Sequence, residues 1–182
     1  EREVSLRSGR RVATALRERG LDVEIVDIGP DLLPALTADP PAVVVPVLHG
    51  TTGEDGAIRE ILELVGLPYV GSRPHSCRLA WDKPIAKTVV AHAGASTPEW
   101  VTLPEATFRD LGASSVLDAV VGRLGLPLVV KPARAGSALG CTVVRSADQL
   151  PAAMVACFAY DDTAVLERYV GGTEVAVSVI DV

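Results

Sequence analysis

This chain contains few cysteines, and it has neither long apolar runs nor an excess of positive charge. Its three cysteines, Cys77, Cys141 and Cys157, are widely spaced and form no CxxC pair. That pattern excludes a disulfide framework and a zinc site of paired cysteines, and it indicates a reducing cytoplasm. No apolar stretch reaches membrane-spanning length, and the N-terminus has no signal-peptide pattern. The net charge of −6 gives no electrostatic basis for binding nucleic acid or an anionic membrane.

The overall composition is that of an ordinary globular protein. Hydrophobic residues make up 48% of the 182 positions and charged residues 22%, which excludes a disordered chain. This length corresponds to one large domain or two small ones and is sufficient to bury a core. The densest run of arginines, between Arg2 and Arg19, predicts a solvated helix face.

Strand and helix patterns alternate along the first half of the chain. Ser5–Arg19 predicts a helix that ends at Gly20. The polar–apolar alternation of residues 22–27 and the apolar run of residues 42–48 each predict a strand. Residues 49–56 then form a loop before apolar residues at helical spacing (Ile58, Ile61, Leu62 and Val65). A loop that follows a buried strand is expected at the sheet edge where α/β folds bind ligands.

The pattern changes between residues 73 and 80, where we expect a break between two units. Asp82 is predicted to cap a helix that has Pro84 in its first turn and buries Ile85, Val89 and Ala93. Further helices are predicted at residues 115–124 and, after a capping box at residues 146–149, up to about Phe158. Strands are predicted at residues 100–103, 126–130, 141–144, 165–170 and 174–182.

A lysine and a loop of small residues lie between two of these strands. Lys131 follows the apolar run, and the loop contains Gly136 and Gly140. Small residues let backbone N–H groups approach a phosphate closely, and a lysine supplies a charge for the same anion. Its place between two strands separates this loop from the dinucleotide-binding and Walker A motifs. An ordinary hairpin turn would explain the same residues.

Further motifs precede this hairpin. They are His49-Gly50-Thr51-Thr52-Gly53-Glu54-Asp55-Gly56, then Gly66-Leu67-Pro68-Tyr69-Val70-Gly71-Ser72, then Asp82-Lys83. Their order and spacing resemble the D-alanine–D-alanine ligases of the ATP-grasp superfamily over essentially the whole chain. The resemblance implies an α/β fold, with an N-terminal doubly wound parallel-sheet (pre-ATP-grasp) domain over residues 1–76 and an incomplete ATP-grasp domain over residues 77–182. We expect the family's first strand and the C-terminal part of its ATP-grasp domain to be missing.

The resemblance also implies a reaction: ATP-dependent ligation of two D-alanines, through an acyl phosphate, for peptidoglycan precursor synthesis. It implies that Glu1 holds the amino group of the first D-alanine, with Val4 beside it. His49 would lie near this substrate and the developing phosphate charge. From the residues alone, Glu1 would be interpreted as a free solvated side chain and His49 as a loop histidine that contacts backbone.

Other residues of these motifs are expected to have structural roles. Residues 54–56 are interpreted mainly as the cap of the next helix, where negative charge is favourable, with orientation of the histidine loop as a consequence. His75 and His92 match no family position and are predicted to be surface or packing residues.

For ATP, the resemblance assigns Lys83 and Lys131 to the phosphates, where two positive charges offset part of the triphosphate charge. Gly136, Ser137 and Ala138 would form the closing hairpin. Ser137 would join the hydrogen-bond network of Glu1 and is counted with Glu1 and His49 as catalytic. The family often has a second serine where Ala138 stands.

The last predicted strands would bind the rest of the nucleotide. The resemblance assigns Glu167, Arg168 and Val170 to adenine, through backbone groups and one acidic side chain. It assigns Glu174 to the ribose.

The resemblance further implies Mg²⁺, with ligands outside this chain, so no metal residue is predicted within it. It implies a bacterial cytoplasmic enzyme that is a homodimer when intact and has no nucleic-acid or membrane partner. Departures at Trp81, Ala138 and Arg59-Glu60 leave open an ATP-grasp ligase with another acceptor, such as D-lactate or another amino acid. A non-catalytic nucleotide-binding relative is the other alternative.

Overall fold

A computed structural model of the chain describes residues 1–179, which divide into two units. The first unit comprises Glu1–Ala95 and the short segment Ala133–Leu139, and the second comprises Ser96–Pro132 and residues 140–179. The division therefore lies beyond the break expected at residues 73–80, because the helix after Asp82 packs on the helix before it. The domain boundary at residues 76–77 stays a prediction.

The first unit is built mainly from helices. They are α1 (Arg2–Arg17), α2 (Leu32–Ala38), α3 (Thr51–Glu54), α4 (Ala57–Leu64), α5 (Pro74–Trp81) and α6 (Lys83–His92). The predicted stop at Gly20 is confirmed: Gly20 adopts φ 79°, and the Leu21 and Gly20 N–H groups donate to the carbonyls of Leu16 and Arg17. This pair of bonds is the Schellman arrangement, which satisfies the last carbonyls of a helix.

The strands predicted in the first unit are largely not formed. Residues 22–27 make no strand, so that prediction is wrong. Residues 42–48 contribute a single parallel bridge, in which Val44 pairs with Tyr69. Alternation and apolarity favour an extended chain, but a strand also requires a neighbour for its N–H and C=O groups. Within residues 1–179, only Val44 of this segment has such a neighbour in a bridge.

The cap of α6 is confirmed, whereas its predicted buried face is wrong. Asp82 Oδ1 accepts a hydrogen bond from the Ile85 N–H at 3.1 Å, and Pro84 lies in the first turn. Ile85 and Val89 are exposed by 45% and 48%, and Lys87 is buried instead. The apolar stripe therefore does not mark the packed face of this helix.

The second unit is an antiparallel sheet covered by helices on one face. Its strands are β1 (Trp100–Pro104), β2 (Leu128–Pro132), β3 (Thr142–Val144) and β4 (Thr163–Arg168), in the order β1-β4-β2-β3. Its helices are α7 (Glu105–Leu111), α8 (Ala113–Leu124) and α9 (Leu150–Phe158), the last preceded by a 3₁₀ turn at Ala147–Gln149. Leu128, Val130 and Leu166 are fully buried beneath α8 and α9. Alternate residues of the same strands, including Lys131 and Glu167, therefore point to the opposite face.

Local differences from the sequence expectations have local causes. The second strand begins at Leu128 rather than at residue 126 and includes Lys131. Ser146 makes no side-chain capping bond, and Gln149 accepts instead from the Arg145 N–H at 2.9 Å, so the capping box is not formed as predicted. Residues 174–179 form no strand, and the rest of that prediction lies outside the described residues.

Truncation of the central strand should cost much more stability than truncation of an exposed position. We expect Leu166→Ala to lower the free energy of unfolding by about 2–5 kcal/mol, because it removes buried methyl groups and leaves a cavity. Val155 of α9 is 73% exposed, so Val155→Ala should change the free energy of unfolding by less than about 0.5 kcal/mol. Urea unfolding of both variants tests the core, and equal effects would contradict this packing.

Candidate functional site

The histidine loop of the first unit is fastened to α1 by serine side chains. Ser5 Oγ accepts a hydrogen bond from the His49 N–H at 2.9 Å. Ser8 Oγ lies 3.2 Å from His49 Nε2. Ser5 and Ser8 are three residues apart and therefore lie on the same face of the helix. Helix α1 thus fixes both the backbone and the ring of His49.

Glu1 lies beside the same loop. Its backbone carbonyl accepts from the N–H of Ser5 at 3.0 Å and from Ser5 Oγ at 3.2 Å. Its carboxylate lies so close to Gly50 that a β-carbon there would overlap it, and Gly50 has φ 87°. The positive φ favours glycine at position 50, and a side chain there would also have to displace the Glu1 carboxylate. Val4, on the same helix, is 36% exposed.

Glu54 connects the parts of this loop. Its Oε2 accepts from the Gly50 N–H at 3.2 Å, and its Oε1 lies 3.9 Å from His49 Nδ1. Asp55 Oδ1 accepts from the Ala57 N–H at the start of α4 at 2.8 Å. Asp55 thus satisfies an N–H at the start of the next helix, as predicted, whereas Glu54 contacts the histidine loop and does not cap that helix.

Segment Ala133–Leu139, here called the hairpin segment, turns sharply at its tip. Ser137 and Ala138 have φ 52° and 55°, and the Leu139 N–H donates to the Gly136 carbonyl at 3.1 Å. Two central residues with positive φ define a type I′ turn, which usually contains glycine or asparagine. Ser137 and Ala138 are exposed on this turn.

The hairpin segment meets Glu54 at Gly136. A β-carbon at Gly136 would lie 2.7 Å from Glu54 Oε2, the same atom that accepts the Gly50 N–H. Sequence reasoning missed this contact, because residues 54 and 136 are distant in the chain and a glycine carries no chemical signal of its partner.

Lys83 is directed to the hairpin segment. Its Nζ donates to the Ala135 carbonyl at 2.6 Å and to the Ala133 carbonyl at 3.4 Å. Its backbone N–H also donates to the Ala133 carbonyl, at 3.0 Å. The first unit thus brings Glu1, the histidine loop, the hairpin turn and Lys83 into one connected set of contacts.

In the second unit, Lys131 is paired with Glu167. Lys131 Nζ lies 2.5 Å from Glu167 Oε1, and the two side chains are exposed by only 23% and 11%. They extend from adjacent strands on the face opposite the core. A charge pair with so little solvent requires its partner, since a single buried charge is strongly unfavourable.

The remaining predicted nucleotide residues lie at or beyond the end of β4. The Arg168 side chain is exposed and lies 3.4 Å from Glu99, and its backbone N–H donates to the Glu99 carbonyl. Val170 and Glu174 are exposed in a segment without regular structure. The structure therefore brings Glu167 and Lys131 together, but it does not gather Val170 and Glu174 with them through any described contact.

Other polar groups of the first unit support its loops. Tyr69 donates a hydrogen bond to Glu63 at 2.6 Å, and this bond raises the pKa of Tyr69 to about 12. Arg59 donates to the Gly53 carbonyl of the histidine loop at 2.6 Å. The exposed ring of His92 lies 2.8 Å from the Thr88 carbonyl of its own helix, as expected for a surface histidine.

Residues 1–179 contain no cluster of three or more His, Cys, Asp and Glu side chains suited to a metal ion. No helix in this described part combines the length and apolarity needed to cross a membrane.

The contact between Gly136 and Glu54 is testable by adding one methyl group. In Gly136→Ala, Glu54 has to release the Gly50 N–H, so we expect shifted NMR signals from the His49 ring and a stability loss of about 1 kcal/mol. Gly122→Ala is the control, because nothing lies within 4 Å of a β-carbon there. It should leave His49 unchanged and stabilise α8 by about 0.5–1 kcal/mol. An unaltered His49 spectrum in Gly136→Ala would refute the contact.

The chain is similar to known protein families and curated proteins. Residues 89–182 match the family described as D-ala D-ala ligase C-terminus, and residues 32–72 match D-ala D-ala ligase N-terminus. A curated D-alanine–D-alanine ligase of Geobacter sulfurreducens is 40% identical over 181 residues, covering 100% of this chain and 55% of that protein. The chain thus spans about half the length of the curated relatives it matches.

Solved structures agree. The D-alanine–D-alanine ligase of Bacillus anthracis superposes with a TM-score of 0.74 at 29% identity, over 93% of this chain and 53% of that one. The VanG D-Ala:D-Ser ligase of Enterococcus faecalis superposes with a TM-score of 0.64 at 37% identity, over 72% of this chain and 37% of that one. These likenesses confirm the expected fold class, an N-terminal domain and part of an ATP-grasp domain. The chain therefore belongs to the D-alanine–D-alanine ligase family.

Proposed function

We propose that the protein containing this chain joins two D-alanines with ATP to give D-alanyl-D-alanine for peptidoglycan synthesis. The observation that supports this most is the set of contacts around Glu54. Glu54 contacts the histidine loop, which also borders the Glu1 carboxylate, and it contacts Gly136 of the turn that resembles the family's phosphate hairpin. An acidic group and a histidine next to a hairpin of small residues suit an amino-acid substrate that is phosphorylated at its carboxylate.

In the proposed reaction, Glu1 binds the ammonium group of the first D-alanine. A carboxylate oxygen of this substrate attacks the γ-phosphorus, which releases ADP and forms an acyl phosphate. The amine of the second D-alanine then attacks the acyl carbon, phosphate leaves and the nitrogen loses a proton. His49 lies beside the first substrate and stabilises the charge that shifts during transfer, and Ser137 supports the Glu1 network.

Lys131 and Glu167 are assigned to the nucleotide. Lys131 binds phosphate, and Glu167 reads adenine together with backbone groups of Arg168 and Val170. Lysine has three N–H donors, so an ion pair that uses one of them leaves it able to bind a phosphate oxygen. The pair holds Lys131 in place before nucleotide binds, which lowers the ordering cost of binding.

The remaining assignments complete this proposal. Lys83 binds phosphate as well, Gly136 and Ala138 contribute backbone groups of the hairpin, and Glu174 binds the ribose. Mg²⁺ held by residues outside this chain would neutralise phosphate charge. A cytoplasmic location and a homodimer of the intact protein stay predictions, the second measurable by light scattering.

A ligase with a different acceptor is the second candidate. VanG, named a D-Ala:D-Ser ligase, is 37% identical to the aligned part of this chain. Ala138 also replaces a serine that is common in the family. Both proposals share the first half-reaction and differ in the nucleophile that attacks the acyl phosphate.

The function is tested by ADP release from the complete native protein that contains this chain, with ATP, magnesium and D-alanine. We expect ADP release with D-alanine alone and the dipeptide by mass spectrometry. L-Alanine is the negative control, and D-serine and D-lactate are offered together with D-alanine. Release only with one of these acceptors would support the second candidate. Nucleotide binding without turnover on any acceptor would instead indicate a non-catalytic relative.

The assignment of Lys131 predicts a loss of nucleotide affinity. Lys131→Met should weaken ATP binding at least about tenfold, since a charge-assisted hydrogen bond contributes about 1.5–3 kcal/mol. Lys131→Met leaves Glu167 buried without this cation. A second variant therefore combines Lys131→Met with Glu167→Gln, and it should fold better but still bind ATP poorly. Arg109→Ala, at an exposed position of α7, is the control. Calorimetric titration that found unchanged affinity would refute the assignment.

A further inference from the structure

The hairpin segment is contacted from the start of α6. Although β2 and β3 flank it in the chain, the hairpin segment packs with the first unit. Lys83 contributes three hydrogen bonds to this packing: its backbone N–H to Ala133 at 3.0 Å, and Nζ to Ala135 at 2.6 Å and to Ala133 at 3.4 Å. The neighbouring residues add a weaker attraction, with Arg134 Nε 3.8 Å from Asp82 Oδ2.

We propose that Lys83 is a positioning residue, whose ammonium group fastens the hairpin segment to α6 before any nucleotide binds. Carbonyl oxygens of a loop are acceptors that water would otherwise satisfy, so a charged donor aimed at two of them selects one loop conformation. That this segment is a phosphate-binding hairpin rests on the proposed function, whereas the fastening itself rests on the distances.

The turn at the tip supplies the reason why such fastening matters. Ser137 and Ala138 both hold positive φ angles, which side-chain-bearing residues adopt at an energetic cost. A strained turn persists when its surroundings fix both of its ends. Lys83 holds the N-terminal arm, and the contact of Gly136 with Glu54 lies at the turn itself. With the ammonium group removed, the arm loses its charged donor and the turn is free to relax.

Lys83 would then have two roles: it would hold the hairpin segment, and it would bind the phosphate. Its ammonium lies against the hairpin carbonyls, and in the proposed function it also contacts phosphate, so the loop and the anion share one cation. Binding of phosphate to Lys83 would therefore depend on how the hairpin segment is held. If Lys83 only bound phosphate, its substitution would leave the hairpin segment unaffected in the absence of nucleotide.

Amide hydrogen exchange of the complete native protein, without nucleotide or substrate, distinguishes these roles. We expect exchange in a peptide covering residues 133–141 to be at least about tenfold faster in Lys83→Met than in the wild type. Lys83→Arg, which retains charged donors, should restore most of the protection. Arg109→Ala, at an exposed position of α7, is the control, and it should leave exchange in residues 133–141 unchanged. A peptide from α8 reports whether each variant is folded.

Unchanged exchange in folded Lys83→Met would overturn the proposal. Should Lys83→Met not fold, Lys83→Gln retains an N–H donor without the charge, and wild-type protection in that variant would overturn the role of the charge. A second arm adds ATP. If ATP slows exchange in residues 133–141 equally in the wild type and in the Lys83 and Lys131 variants, the phosphate assignments fail while the fastening stands. Faster exchange without ATP together with weaker protection by ATP supports both.

Discussion

One carboxylate, that of Glu54, determines how the first unit arranges its candidate site. It accepts the Gly50 N–H and faces His49, and it lies so close to Gly136 that a β-carbon there would displace it. A single acceptor with several neighbours makes their positions interdependent. Displacement of Glu54 by any one of them would disturb the others, which is the behaviour of a polar network rather than of separate contacts.

The two lysines assigned to nucleotide are held by different chemistry. Lys131 is opposed by the full negative charge of Glu167 in a little-hydrated position, whereas Lys83 is held by neutral carbonyl oxygens of the hairpin segment. Lys131 thus gains a fixed orientation from a charged partner, and Lys83 gains one from carbonyl groups of the hairpin segment. Both are ordered in advance, as the proposed binding of a reacting phosphate requires.

The sequence predicted the structure where the signal and its cause lie within a few residues. The stop at Gly20 and the cap at Asp82 depend on hydrogen bonds between residues close in the chain, and both formed. The strand at residues 22–27 depended on a distant neighbour and did not form. The prediction that Ile85 is buried on α6 was wrong, because an apolar stripe shows which residues are suited to burial but not which face packs against a neighbouring element. The site shows the same division: its motif residues could be named, but the Glu54–Gly136 contact has no local signal.

The composition of the hairpin turn also bears on its stability. A type I′ turn with asparagine and glycine would form without strain, yet this chain has Ser137 and Ala138 at φ 52° and 55°. Each such residue costs on the order of 1–3 kcal/mol, so the turn's own residues do not favour its shape. Its conformation must instead be fixed by groups outside it, among them Lys83 and Glu54. The turn therefore depends on these neighbouring groups for its shape, and loss of any one of them would favour its relaxation.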